Sequence, residues 1–244
     1  MHKREIIICP SPGDLARQAA AEFTKVAQLS LRDKGRFTVA LSGGSTPRAL
    51  YSLLATPEFS RQISWPQVHL FWGDERCVPA DHPDSNYRMV CESLLAKIEI
   101  PPVNIHRMAG EKDPLTAAAE YEQELRTAFQ LAPGAFPRFD LILLGLGDDG
   151  HTASLFPGSD ALKETQRLVV ANYVAKFNAH RLTLTFPVLN HGAAVIFLVA
   201  GANKAPVVKE ILRDDRQPAP FPAAQIQPLD GRLVWLLTGD AAPK

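Results

Sequence analysis

The chain has 244 residues, 46% apolar and 21% charged, ordinary globular usage that excludes a disordered or fibrous chain. Its 26 Lys and Arg balance 26 Asp and Glu, so overall charge points to neither a nucleic-acid partner nor a membrane surface. Cys9, Cys77 and Cys91 follow no disulfide framework or zinc-ligand spacing and fit a reducing compartment.

The opening MHKREIIICPSPGD carries an apolar run over residues 6–9, too short for a secretory segment. No stretch reaches the length of a membrane span, so the expected location is the cytoplasm. EIIIC predicts a first strand with Cys9 in the core, and LARQAAAEFTKVAQLSLRD places apolar residues at helical spacing. FTVALSGG predicts a strand entering a glycine turn, PRALYSLLA a helix, VHLFWGDER a third strand and SNYRMVCESLLAKI a helix. TAAAEYEQELRTAF predicts another helix and FDLILLGLGDDGHT a central strand running into a loop. RLVVANYV, RLTLTFPVL, AAVIFLVAG and LVWLLTG are further strand candidates, with a short helix over KAPVVKEILRD and a surface loop over RQPAPFPAAQIQP.

Strands alternating with helices imply an α/β fold: one domain over 1–244, with a mostly parallel, Rossmann-like sheet flanked by helices on both faces. FDLILLGLG and AAVIFLVAG are almost continuously apolar, as strands buried on both faces are. Ligands of such sheets collect beyond the carboxyl ends of the strands. That rule selects four stretches, 42–46, 74–76, 145–151 and 201–204.

In LSGGSTPRAL, Gly43 and Gly44 allow a sharp turn, and Ser45 and Thr46 can cap a helix that Pro47 starts. The same geometry suits an anion at a helix N-terminus, and the residues alone leave capping and anion binding equally open. The Walker spacing and its lysine are absent. In WGDER, Asp74, Glu75 and Arg76 sit at a strand end, where Arg76 can take a phosphate or simply pair with a neighbouring carboxylate. His82 decorates a loop. In LGLGDDGHTASLFPGS, Asp148, Asp149 and His151 share one glycine turn after the most apolar strand. Histidine titrates near neutrality and serves as a general base, with a carboxylate fixing its tautomer. The competing account makes Asp149 the N-cap of a helix that His151 begins. Arg181 and Lys204 lie at ends of strand candidates and could reach a phosphate, but each taken alone reads better as solvated surface charge. His106, His180 and His191 show no partner pattern.

SGGSTP, GDERCVPADHPDSNYRM, LGLGDDGHTASLFPGS, RLTLTFPVLN and GANKAPVVKEIL together resemble the 6-phosphogluconolactonase family, within the wider glucosamine-6-phosphate isomerase/lactonase superfamily. The resemblance implies a sugar phosphate held by Ser42, Gly43, Gly44, Ser45 and Thr46 with Arg181 and Lys204. It also implies His151 as base beside Asp149, with Asp74 and Arg76 near the substrate. It implies hydrolysis of a phosphorylated sugar lactone by His-assisted water attack, with no metal and no cofactor required. The expected partner is that small molecule, with no nucleic acid and no membrane, and the expected state a monomer or weak oligomer. The isomerase branch has DGHIAFNEP, with a ring-opening glutamate where this chain has Phe156, and Asp-Glu-Tyr where this chain has Asp74-Glu75-Arg76. The alternatives are an isomerase/deaminase and a non-catalytic sugar-phosphate binder.

Overall fold

A computed structural model describes residues 4–213 and 220–243. The first four residues of the stretch 216–228, expected as a surface loop, lie outside the described residues; Pro222–Gln225 is a 3-10 turn. The strands run β1 (Glu5–Cys9), β2 (Phe37–Leu41), β3 (Val68–Trp72), β4 (Asp74–Arg76), β5 (Ile105–His106), β6 (Leu141–Leu144), β7 (Val169–Val174), β8 (Ala179–Leu184), β9 (Ala194–Val199) and β10 (Arg232–Thr238). The helices are α1 (Pro12–Lys34), α2 (Ser45–Leu54), α3 (Pro57–Ser60), α4 (Asn86–Ser93), α5 (Pro114–Ala128), α6 (Phe186–Asn190) and α7 (Ala205–Leu212).

Seven strands form one parallel sheet in the order β1-β10-β9-β6-β2-β3-β5. Every residue of β2, β6 and β9 is buried, because helices cover both faces and leave no solvent side to polarise the pattern. The expected α/β architecture holds, with β6 at the sheet centre and Cys9 in the core. α1 shows why these segments become helices. Ser11 caps its first turn, Pro12 opens it, and Gly35 at φ +70° closes it beneath a packed stripe of Leu15, Ala19, Phe23 and Ala27.

The strand order places the site. β2 and β6 are neighbours, yet the chain leaves β2 toward β3 on one side, while β6 leads eventually to β9 on the other. Loops diverging from adjacent carboxyl ends open a crevice at that switch point.

Three expectations need correction. VHLFWGDER is two strands, not one: the Gly73 N–H donates to the Leu41 carbonyl (2.8 Å) while its own carbonyl accepts from Leu184 (2.9 Å). Gly73 thus hands the chain from the parallel sheet to a second, antiparallel one of order β4-β8-β7. The helix expected over 85–98 ends at Ser93 and gives way to a 3-10 turn. RLTLTFPVL is a strand only to Leu184, after which Pro187 sits in the first turn of α6.

Candidate active site

A cavity of about 310 Å³ opens at the switch point. Of the eleven residues singled out from the sequence, ten line it: Ser42, Gly43, Gly44, Ser45, Thr46, Asp74, Arg76, His151, Arg181 and Lys204. Asp149 stands behind His151, in a separate and larger groove of about 820 Å³.

The loop after β6 is a tight glycine turn. The Gly147 N–H donates to the His151 carbonyl (2.9 Å) and the Gly150 N–H to the Gly147 carbonyl (3.0 Å), with Gly150 at φ +75°. No helix begins at His151; the next residues form an isolated bridge between Thr152 and Leu155, so the N-cap account of Asp149 falls. Instead the Asp149 Oδ1 takes the His151 Nδ1 in a short hydrogen bond and also accepts the His151 backbone N–H (3.2 Å). That pairing fixes the proton on Nδ1 and leaves the Nε2 lone pair as the free basic position. The ring stacks on Phe156, with centroids 4.0 Å apart. A Cβ at Gly147 would lie 2.0 Å from the imidazole Nδ1, so only glycine lets the ring dock there.

Electrostatics tune the pair. Burial is the largest influence on His151; it outweighs the raising effects of Asp149 and Asp74, is reinforced by Arg181, and holds the imidazole pKa below its ordinary value. Burial alone would lift the Asp149 carboxyl, but its hydrogen bond and charge contact with His151, helped by Lys176, bring it down to about 2. At neutral pH the dyad is a carboxylate beside a neutral imidazole, the state a general base requires.

The opposite wall gathers hydrogen-bond donors and cations. α2 begins at Ser45, two residues earlier than expected, with Gly44 (φ +107°) as its N-cap and no side-chain cap. Ser45 and Thr46 therefore do not cap the helix; they form its first turn, whose N–H groups lack intrahelical partners. The Ser42 backbone is held at both its N–H and its carbonyl by the Tyr51 hydroxyl (3.0 and 2.9 Å), while the Ser42 Oγ is buried with no partner among the described residues. Gly43 presses on Asn86, where a Cβ would lie 1.8 Å from Oδ1. Asn86 escaped the sequence reading. Its Nδ2 donates to the Asp74 carbonyl (2.9 Å) and Oδ1 (3.3 Å), joining the glycine loop to β4. Only its place in a family block hinted at it, since nothing in the spacing shows that contact. Asp74 also accepts from the Ser154 hydroxyl (2.7 Å), and Glu75 accepts from the Asn86 and Tyr87 N–H groups (both 2.7 Å), capping α4. These two buried carboxylates hold the wall together.

The cations face each other. In the antiparallel register Arg76 lies directly opposite Arg181. Like charges so placed repel unless an anion bridges them. Burial first, and Arg76 second, lower the Arg181 pKa, and its guanidinium lies over the rings of Phe177 (4.6 Å) and Phe156 (5.7 Å). Arg76 donates through Nη1 to the Asp84 carbonyl, not to a neighbouring carboxylate, and its Nε is buried without a hydrogen-bond partner among the described residues. Lys204 reaches the cavity too, but already pairs with Asp148, which also accepts from the Asn203 Nδ2 (2.8 Å). His82, His106, His180 and His191 do not line this cavity; His106 instead pairs with Glu124 (2.7 Å) and His69 (3.1 Å), partners that the sequence did not show. Among the described residues no three His, Cys, Asp or Glu side chains converge to hold a metal ion.

Residues 10–235 match the family described as glucosamine-6-phosphate isomerases/6-phosphogluconolactonase. A 6-phosphogluconolactonase from Synechocystis sp. is 48% identical, the match covering 87% of this chain and 86% of that protein. One from Nostoc sp. is 43% identical over 98% of this chain and 97% of its own length. The solved structure of 6-phosphogluconolactonase from Trypanosoma brucei superposes with a TM-score of 0.88 at 30% identity, covering 99% of this chain and 98% of that one. With a whole-chain match to fold and sequence alike, the protein belongs to the glucosamine-6-phosphate isomerase/6-phosphogluconolactonase family.

Proposed function

We infer that the chain hydrolyses 6-phospho-D-glucono-1,5-lactone to 6-phospho-D-gluconate, in the oxidative branch of the pentose phosphate pathway. One observation carries the reading: a tautomer-locked imidazole and a facing arginine pair border the same small cavity. The first-turn N–H groups of α2, the Ser42 hydroxyl, Arg76 and Arg181 supply the donors a phosphate needs, and Lys204 adds charge that it shares with Asp148. A substrate anchored by its phosphate presents its ring carbonyl to His151, so orientation lowers the barrier before any proton moves.

The His151 Nε2 takes a proton from water as its oxygen adds to the lactone carbonyl, while Asp149 stabilises the imidazolium that forms. Collapse of the tetrahedral intermediate breaks the bond to the ring oxygen, which receives the proton back from His151 and leaves as a hydroxyl. The developing oxyanion needs a donor. The Gly147 N–H is already spent on the His151 carbonyl, so that donor comes from elsewhere in the cavity lining.

Phe156 separates this reading from ring-opening isomerisation. Where that chemistry uses a glutamate, this chain stacks an aromatic ring on the imidazole, which can move no proton. The protein acts, in this reading, as one domain over 1–244 in the cytoplasm, as a monomer or weak oligomer, on a small-molecule substrate. Hydrolysis of freshly made 6-phosphogluconolactone, beside the unphosphorylated lactone and an assay of ammonia release from glucosamine 6-phosphate, tests it. Strong preference for the phosphorylated lactone with no ammonia supports the reading; ammonia release or indifference to the phosphate overturns it.

A further inference from the structure

The turn that joins β7 to β8 touches both working ends of the site without lining the cavity. It consists of a 3-10 segment, Ala175–Phe177, closed by Asn178 in the left-handed region (φ +48°). Two consecutive side chains leave it in different directions. The Lys176 Nζ lies 3.2 Å from the Asp149 Oδ2, the oxygen that His151 does not use. Phe177 places its ring under the Arg181 guanidinium, 4.6 Å away, and edge-on to Phe156 at 5.9 Å. Lys176 lines the outer groove together with Asp149, so it does not border the substrate cavity.

We propose that this turn is a positioning element for the reaction inferred above: Lys176 acts on His151 through Asp149, and Phe177 holds Arg181 in its anion-binding pose. The physical basis of the first arm is competition for one carboxylate. The Asp149 charge stabilises imidazolium through Oδ1, and an ammonium on Oδ2 draws on the same charge. Lys176 thereby keeps the imidazole neutral and holds the carboxylate plane in register with the ring. The other charged groups facing the imidazole are Asp74 from β4 and Arg181 from β8, and neither belongs to the turn. Asp148, which Lys176 also influences, is occupied by Lys204. The second arm is a cation–π contact that orders a guanidinium lying over aromatic rings, with Asp74, Asp84 and Glu75 the carboxylates whose charge reaches it.

The two arms have separate readouts. In Lys176→Met, NMR titration of the His151 imidazole should show its midpoint raised by roughly 0.2–0.7 pH unit, the size expected of an exposed ion pair. The acid limb of kcat/KM should move by the same amount with KM unchanged, and Lys176→Arg should restore the wild-type titration. Added salt should raise the wild-type midpoint and leave that of Lys176→Met nearly fixed. In Phe177→Ala, KM for the phosphorylated lactone should rise about two- to fivefold, with kcat little changed and Phe177→Tyr restoring KM. An imidazole titration in Lys176→Met that superimposes on wild type, or an unchanged KM in Phe177→Ala, overturns the proposal. Should the wild type fail to hydrolyse the lactone, the function inferred above falls. The NMR arm, with calorimetric binding of inorganic phosphate to Phe177→Ala, still decides the role of the turn.

Discussion

The two sheets contribute to the site in different currencies. The parallel sheet delivers backbone and the proposed base: the glycine turn after β2 presents N–H groups of α2, and the turn after β6 presents His151 with Asp149. The small antiparallel sheet delivers charged side chains: β4 and β8 carry the facing pair Arg76 and Arg181, and the β7–β8 turn carries Lys176. The large sheet is rigid, buried on both faces and able to fix a reacting atom. The small sheet is half-exposed and can hold like charges close, which a dry core could not tolerate. In the reading proposed above, the base sits on the stiffer scaffold and the arginine pair on the softer one, while the α2 donors give the parallel sheet a share in recognition. Altering His151 should cut turnover and altering Arg181 should cut affinity.

The largest effect expected tests the parallel-sheet side. His151→Ala should lower kcat by roughly 10²–10⁴-fold, the usual worth of a general base, with KM little changed. A comparable loss appearing in KM would erase the division. Next, Arg181→Met should raise KM for the phosphorylated lactone about 10- to 100-fold, as losing one charged hydrogen-bond partner does, and leave hydrolysis of the unphosphorylated lactone alone. If both lactones suffer equally, the small sheet takes part in the chemistry as well. Gly147→Ala sharpens the comparison from inside the turn. Its methyl would meet the imidazole, so a smaller kcat loss is expected, with destabilisation of about 1–3 kcal/mol on thermal unfolding. The subtlest effect is on pH. Because burial lowers the His151 pKa, the base stays unprotonated through neutrality, and kcat/KM should fall only below about pH 6.5. An acid limb centred above that value would mean that Asp149 dominates the burial effect.

The same contrast governs what the sequence revealed. β6 and β9 were legible because burial on both faces leaves unbroken apolar runs, and the polar turn at 145–151 stands out against them. The anion loop was legible for a similar reason, as glycine and hydroxyl residues following a wholly buried strand. The small sheet was not. DER after VHLFW reads as more of the same strand, and the break at Gly73 depends on hydrogen bonds to Leu41 and Leu184, far apart in sequence. The Arg76–Arg181 pairing is a matter of register between strands 105 residues apart, which no local pattern encodes. Asn86 and Lys176 were missed because each works by contact, one with Gly43 and Asp74, the other with Asp149, from segments that look like ordinary loop or helix. Of the two roles left open for Ser45 and Thr46, capping falls, since Gly44 caps a helix that starts two residues early.

The most direct test of the division of labour is paired: turnover of 6-phosphogluconolactone by His151→Ala, corrected for spontaneous hydrolysis, and calorimetric affinity of the same variant for 6-phosphogluconate. The expected result is turnover reduced at least a hundredfold with wild-type affinity for the phosphorylated ligand. Near-normal turnover, or loss of turnover and affinity together, would contradict the assignment of base and cradle to separate walls of one cavity.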